Sequence, residues 1–133
     1  MKVIELLEEG LSQDRAKGLI KEFLKFAQKS LELPSLPKIT LHTNSKRSVE
    51  NRSFGGYGGH SINVTIKDRH IQDVLRTLAH ELVHYRQDLR DELNNESGND
   101  GSPEENEANA EAAVILRKWG KLHPEFFKYS AIE

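Results

Sequence analysis

His80, Glu81 and His84 stand in the order His-Glu-x-x-His, and on a helix the two histidines fall within about 40° of each other, one turn apart on one face. Two imidazoles so placed reach one divalent ion. Glu81 is turned aside by about 100°, so its carboxylate sits beside the ion and not on it. That is the place of a general base that takes a proton from a metal-activated water. The predicted chemistry is hydrolysis. Zinc is the ion the motif favours, although imidazole and carboxylate donors also suit other divalent metals. The chain has no cysteine, so disulfides and thiolate sites are excluded and any ion must be held by His, Asp or Glu. The bland reading is that two histidines fell four residues apart by chance on an amphipathic helix. Against it, Ala79, Leu82 and Val83 leave no stray charge around the ligands.

The surrounding pattern defines the helix that carries the motif. Ile71, Val74, Leu75, Leu78, Leu82, Tyr85 and Leu89 recur at helical spacing on the side away from the histidines. Asp68 is placed to cap this helix, which is predicted to run to about Leu93. Catalytic zinc takes three protein ligands and keeps a fourth position for water, so a third ligand is required downstream. In residues 102–114, Ser102 reads as an N-cap and Pro103 as the first residue of a helix to about Gly120. Glu104 and Glu105 fall in its first turn, where the helix dipole favours anions, and read as a solvated helix start. Glu107 and Glu111 share a face one turn apart among alanines 108, 110, 112 and 113, whose small size lets this helix approach the metal helix closely.

His80-Glu81-x-x-His84 followed by Asn106-Glu107-Ala108-x-x-Glu111 resembles the gluzincin metallopeptidases, the thermolysin-like zinc enzymes. The resemblance spans residues 75–116. It implies that Glu107 is the third zinc ligand and that Glu111, longer than the aspartate usual there, is the outer partner that hydrogen-bonds His80. It also implies that the strand before the metal helix forms the rim of the cleft, with substrate adding along its edge. The Glu-x-Glu-Ala-Asn run is similar to small bacterial and phage peptidases with minimal gluzincin scaffolds. The activity implied by the resemblance is that of a compact zinc metalloendopeptidase, bacterial or phage-encoded; a cytoplasmic location is the expectation that the absence of cysteine fits.

The rest of the chain supplies the scaffold. Its 133 residues predict one domain, and 36% hydrophobic with 30% charged residues predicts a soluble one. A net charge of −2 gives no electrostatic case for nucleic acid as partner. No signal peptide is expected, since Glu5, Glu8 and Glu9 break the first segment, and no run reaches membrane-span length. A short helix is predicted over 1–9 and a longer one over 12–31, capped by Ser12 and packed through Leu19, Ile20, Phe23, Leu24, Phe26, Ala27 and Leu31.

Lys38–His42 alternates as a strand after Pro34 and Pro37. The loop after it carries Lys46, Arg47 and Arg52 as a solvated surface. Residues 60–66 alternate as a second strand through Ile62, Val64 and Ile66, preceded by a glycine-rich turn around Tyr57. Tyr57 and His60 are the candidates for stabilising the oxyanion beside the metal, against the plainer reading of a hairpin turn and a surface histidine. His42, His70 and His123 have no ligand spacing. Residues 94–101 form a polar loop joining the two metal helices, without the regular oxygen alternation of a calcium loop. Trp119, Phe126, Phe127 and Tyr129 dock the C-terminal segment.

Assembled, the expectation is an α+β, zincin-like monomer in which a small antiparallel sheet packs on the metal helix, with the helix of 12–31 behind it. One Zn²⁺ is held by His80, His84 and Glu107, Glu81 is the base, and a peptide or protein is the substrate. The alternative is a degenerate zincin that binds peptides around a structural metal. Glu81 argues against that, because a structural site needs no base.

Overall fold

The computed structural model describes residues 10–43, 55–58, 60–97 and 99–133. The predicted helix over 1–9 and the loop residues Lys46, Arg47 and Arg52 lie outside them, as do the side chains of Tyr57 and Phe127. In chain order the elements are α1 (Gln13–Ser30), β1 (Lys38–His42), β2 (Gly55–Gly58), β3 (Ser61–Thr65), α2 (Ile71–Leu89) and α3 (Pro103–Leu122), followed by a 3-10 turn at Pro124–Lys128. Among the described residues, no helix is long and apolar enough to cross a membrane.

Mixed helix and sheet is as expected, but the sheet is not antiparallel throughout. The strand order is β1-β3-β2, with β3 parallel to β1 and antiparallel to β2. The β2–β3 hairpin closes on the pair Gly58 and Ser61, a two-residue turn that includes His60 at φ 58°, in the left-handed region that such turns demand. The chain thus passes from one edge of the sheet to the other before β3 inserts between its neighbours. β3 is therefore the central strand and not the edge expected of residues 60–66. Its burial explains the position: Ile62 and Val64, with Ile66 just beyond, are fully enclosed.

Helix α2 fills the middle of the molecule. Ile71, Val74, Leu75, Leu78, Leu82 and Tyr85 are buried as their spacing predicts, joined by Ala79, Val83 and Gln87. Two boundaries differ from expectation. The N-cap is His70, whose Nδ1 accepts from Gln72 N at 3.0 Å. Asp68 lies at φ 63° with its own N–H bonded to Ile132 O, two residues too early to cap. The helix ends at Leu89 because Asp91 turns left-handed at φ 57°. The Glu92 N–H then returns to Gln87 O at 2.9 Å and the Asp91 N–H to Asp88 O at 3.0 Å, the Schellman arrangement without its usual glycine.

Helix α3 lies against α2 along the small-residue stripe Ala108 and Ala112, continued by Ile115 and Trp119. Trp119 anchors the far end, edge-on to Phe23 at 5.3 Å and Phe126 at 5.4 Å and stacked on His123 at 3.9 Å. The near end is set by Ser102, which accepts from Glu105 N at 3.1 Å, after Gly101 at φ 83° has turned the chain. Ala108 is fully buried, so Ala108→Leu must push the helices apart. Urea denaturation should show a loss of about 1–3 kcal/mol, the usual cost of overpacking.

Candidate metal centre

Because α2 is regular through residues 71–89, His80 and His84 share a face as the spacing requires. Their Nε2 atoms lie 3.1 Å apart. The third group that meets them is Glu105: Oε1 is 2.8 Å from His80 Nε2 and Oε2 is 3.0 Å from His84 Nε2. Among the described residues, this trio is the one set of three His, Asp or Glu side chains close enough to hold an ion.

Glu107 is elsewhere. Its Oε1 accepts from Gln87 Nε2 at 2.7 Å and its Oε2 lies 3.8 Å from Arg86 Nη2. Glu111 also meets Arg86, at 3.3 Å, and not His80. The reason is the rotational phase of α3. Its buried stripe runs through positions 108, 112, 115 and 119, and three residues before Ala108 the same stripe emerges at Glu105, whereas Glu107 is turned about 100° away. One turn after Glu105, Asn109 lies on the same face and acts on the proton affinity of His80, raising it. The relation expected between Glu107 and Glu111, ligand and outer partner four residues apart, thus recurs two residues earlier. The first-turn position made Glu105 look like an ordinary dipole-complementing acid, and the signal that locates it is the alanine stripe.

The trio fits a divalent ion. One ligand atom from each of the three residues lies within 4.8 Å of the others, close enough for all three to reach one ion. The donors are two imidazoles and a carboxylate, at a helix N-terminus where the dipole favours the anion. Burial pushes the His80 imidazole below its usual value, and His84 pushes the same way, against the Glu105 charge and the Asn109 hydrogen bond. The direction of the shift favours the neutral form that a ligand requires.

Gln87, absent from the sequence-level expectations, completes the surroundings. Its Oε1 is 2.7 Å from His84 Nδ1, and its Nε2 donates to Glu104 O at 2.9 Å as well as to Glu107.

Glu81 points beside the trio, with Oε1 4.0 Å from His80 Nε2 and a side chain only 12% exposed. Burial, the largest influence, pushes its carboxyl up to about 7; His84 draws it down and Glu105 raises it further. His60 does not join the trio. Its Nε2 meets Asp88 at 3.1 Å, one turn beyond His84, and its ring stands edge-on to Tyr85. Tyr57 is placed by its backbone alone, opposite Ile62 in the β2–β3 ladder. His42 bonds Asn63 across the sheet and His123 bonds Glu125. Comparison of the chain with protein-family models, with curated proteins and with solved structures finds no match.

Proposed function

We propose that the chain is a zinc-dependent peptidase. The observation that carries this reading is the convergence of His80, His84 and Glu105 on one point with the carboxylate of Glu81 held beside it. A structural ion needs its ligands alone; a largely enclosed acid poised next to them is what hydrolysis adds. The His80-Glu81-x-x-His84 half of the resemblance to gluzincins supports the same reading; its Asn106-Glu107-Ala108 half does not, since Glu105 stands in the place that the motif assigns to Glu107.

A divalent ion in this site supplies polarisation of a bound water and of the substrate carbonyl. The chain's own residues do the rest. His80, His84 and Glu105 hold the ion, with His80 steadied by Asn109. Glu81 accepts the proton of the attacking water and delivers it to the departing amine. Its raised proton affinity in the metal-free chain suits a group that must both take and give a proton near neutrality, and the nearby cation favours the ionised form that begins the cycle. With β3 central, the strand edge offered to a peptide is that of β2, which packs against α2. Gly55, Gly56 and Gly58 let a substrate backbone come close to it.

The test is metal content by mass spectrometry on protein purified without added metal, followed by hydrolysis of a peptide library. About one equivalent of zinc is expected, with cleavage that a chelator removes and zinc restores. Zinc-loaded protein that cleaves no peptide would refute the catalytic reading and leave a metal-bound binding module.

A further inference from the structure

We infer that Gln87 is the positioning residue for His84, and that through it the docking of α3 decides which ring nitrogen of His84 is free to bind an ion. This rests on the metal reading above, since the free nitrogen matters only if His84 is a ligand. Gln87 is 1% exposed, and a carboxamide so enclosed is tolerated only with its hydrogen bonds made. All of them point to one arrangement. The Gln87 oxygen, 2.7 Å from His84 Nδ1, can only accept, so Nδ1 carries a proton and Nε2, which faces Glu105 Oε2 at 3.0 Å, is the nitrogen left to exchange that contact for an ion.

The other end of the carboxamide fixes that orientation. Its nitrogen lies 2.9 Å from the Glu104 carbonyl oxygen and 2.7 Å from Glu107 Oε1. Turning the amide over would set its oxygen against both. Glu107 is in turn held towards Arg86, which also meets Glu111. The first turn of α3 therefore performs two tasks in one docking event. Glu105 is delivered as the third ligand, while Glu104 and Glu107 orient Gln87 so that His84 presents Nε2. This gives Glu107 a role in the centre without contact with the ion.

The test uses the full chain freed of metal by a chelator, with the His84 tautomer read from long-range proton–nitrogen correlation spectra. Wild type should carry a proton on Nδ1. Gln87→Met should move His84 towards the Nε2–H form and weaken zinc binding, measured by chelator competition, about ten- to a hundredfold, as loss of an outer partner does. The double variant Q87E/E107Q keeps an acceptor against His84 and supplies a donor from position 107, leaving only the Glu104 carbonyl opposed, so it should recover the proton on Nδ1 and part of the affinity. A merely structural role for Gln87 would not produce that recovery. Wild-type protein that binds zinc yet carries no proton on His84 Nδ1 when metal-free overturns this inference alone. Gln87→Met with an unchanged tautomer and unchanged zinc affinity also overturns it. A wild-type chain that takes up no zinc overturns the metal reading instead, and this inference with it.

Discussion

Glu81→Gln should keep its full complement of zinc and lose hydrolysis, with kcat down by about a thousandfold or more, towards the upper part of the range for losing a general acid–base. The substitution preserves size and removes only the capacity to accept a proton. Because Glu81 lies 4.0 Å from His80 Nε2 and is not one of the converging donors, metal affinity has no reason to fall with activity. Burial is no obstacle either. A carboxamide carries no charge to desolvate, so the enclosure that pushes the glutamate up to about 7 does not disfavour glutamine. Substrate binding should be close to wild type, which places the loss in kcat and not in KM. Retained turnover in a zinc-loaded variant would rule out Glu81 as the base.

The two halves of the site differ in how far the sequence reveals them, for a geometric reason. His80, Glu81 and His84 lie within one helix, so their mutual placement follows from the helical repeat and needs no knowledge of the fold. Glu105 belongs to a second helix, and which of Glu104, Glu105, Glu107 or Glu111 faces the histidines depends on how that helix is rotated against the first. A two-residue error in phase is about 200° of rotation. The buried stripe of Ala108, Ala112, Ile115 and Trp119 sets that phase, and it is visible in the sequence once the alanines are read as the contact face and not as mere spacers. The sheet was less legible. Alternation in residues 60–66 identifies a strand but not its neighbours. That β3 would slip between two strands already placed, parallel to one and antiparallel to the other, depends on the path between β1 and β2. Likewise Asp91 ends α2 through a backbone turn that carries none of the glycine signal by which helix ends are recognised.

Glu105→Ala and Glu107→Ala should part widely in zinc affinity, and the comparison tests the phase of α3 directly. Removal of Glu105 takes away the carboxylate that both histidines face at 2.8 and 3.0 Å and leaves two imidazoles to hold the ion. Affinity should drop by more than about a hundredfold, beyond what any outer partner contributes. Removal of Glu107 leaves all three donors in place. It costs Gln87 one of its two acceptors, while the Glu104 carbonyl still orients the amide at 2.9 Å, and Arg86 retains Glu111. A loss of about tenfold or less is expected, the lower end of the effect of an outer partner. Chelator competition on the two variants, side by side with wild type, gives the measurement. The opposite ranking would mean that Glu107 turns inward when the ion binds. That would require α3 to rotate by most of a half-turn, carrying the fully buried Ala108 and the nearly buried Ala112, Ile115 and Trp119 out of their contacts. The aromatic packing around Trp119, edge-on to Phe23 and Phe126, opposes such a rotation at the far end of the same helix. Which glutamate faces His80 and His84 is thus decided about 20 Å along the helix from them, by the residue that locks its phase.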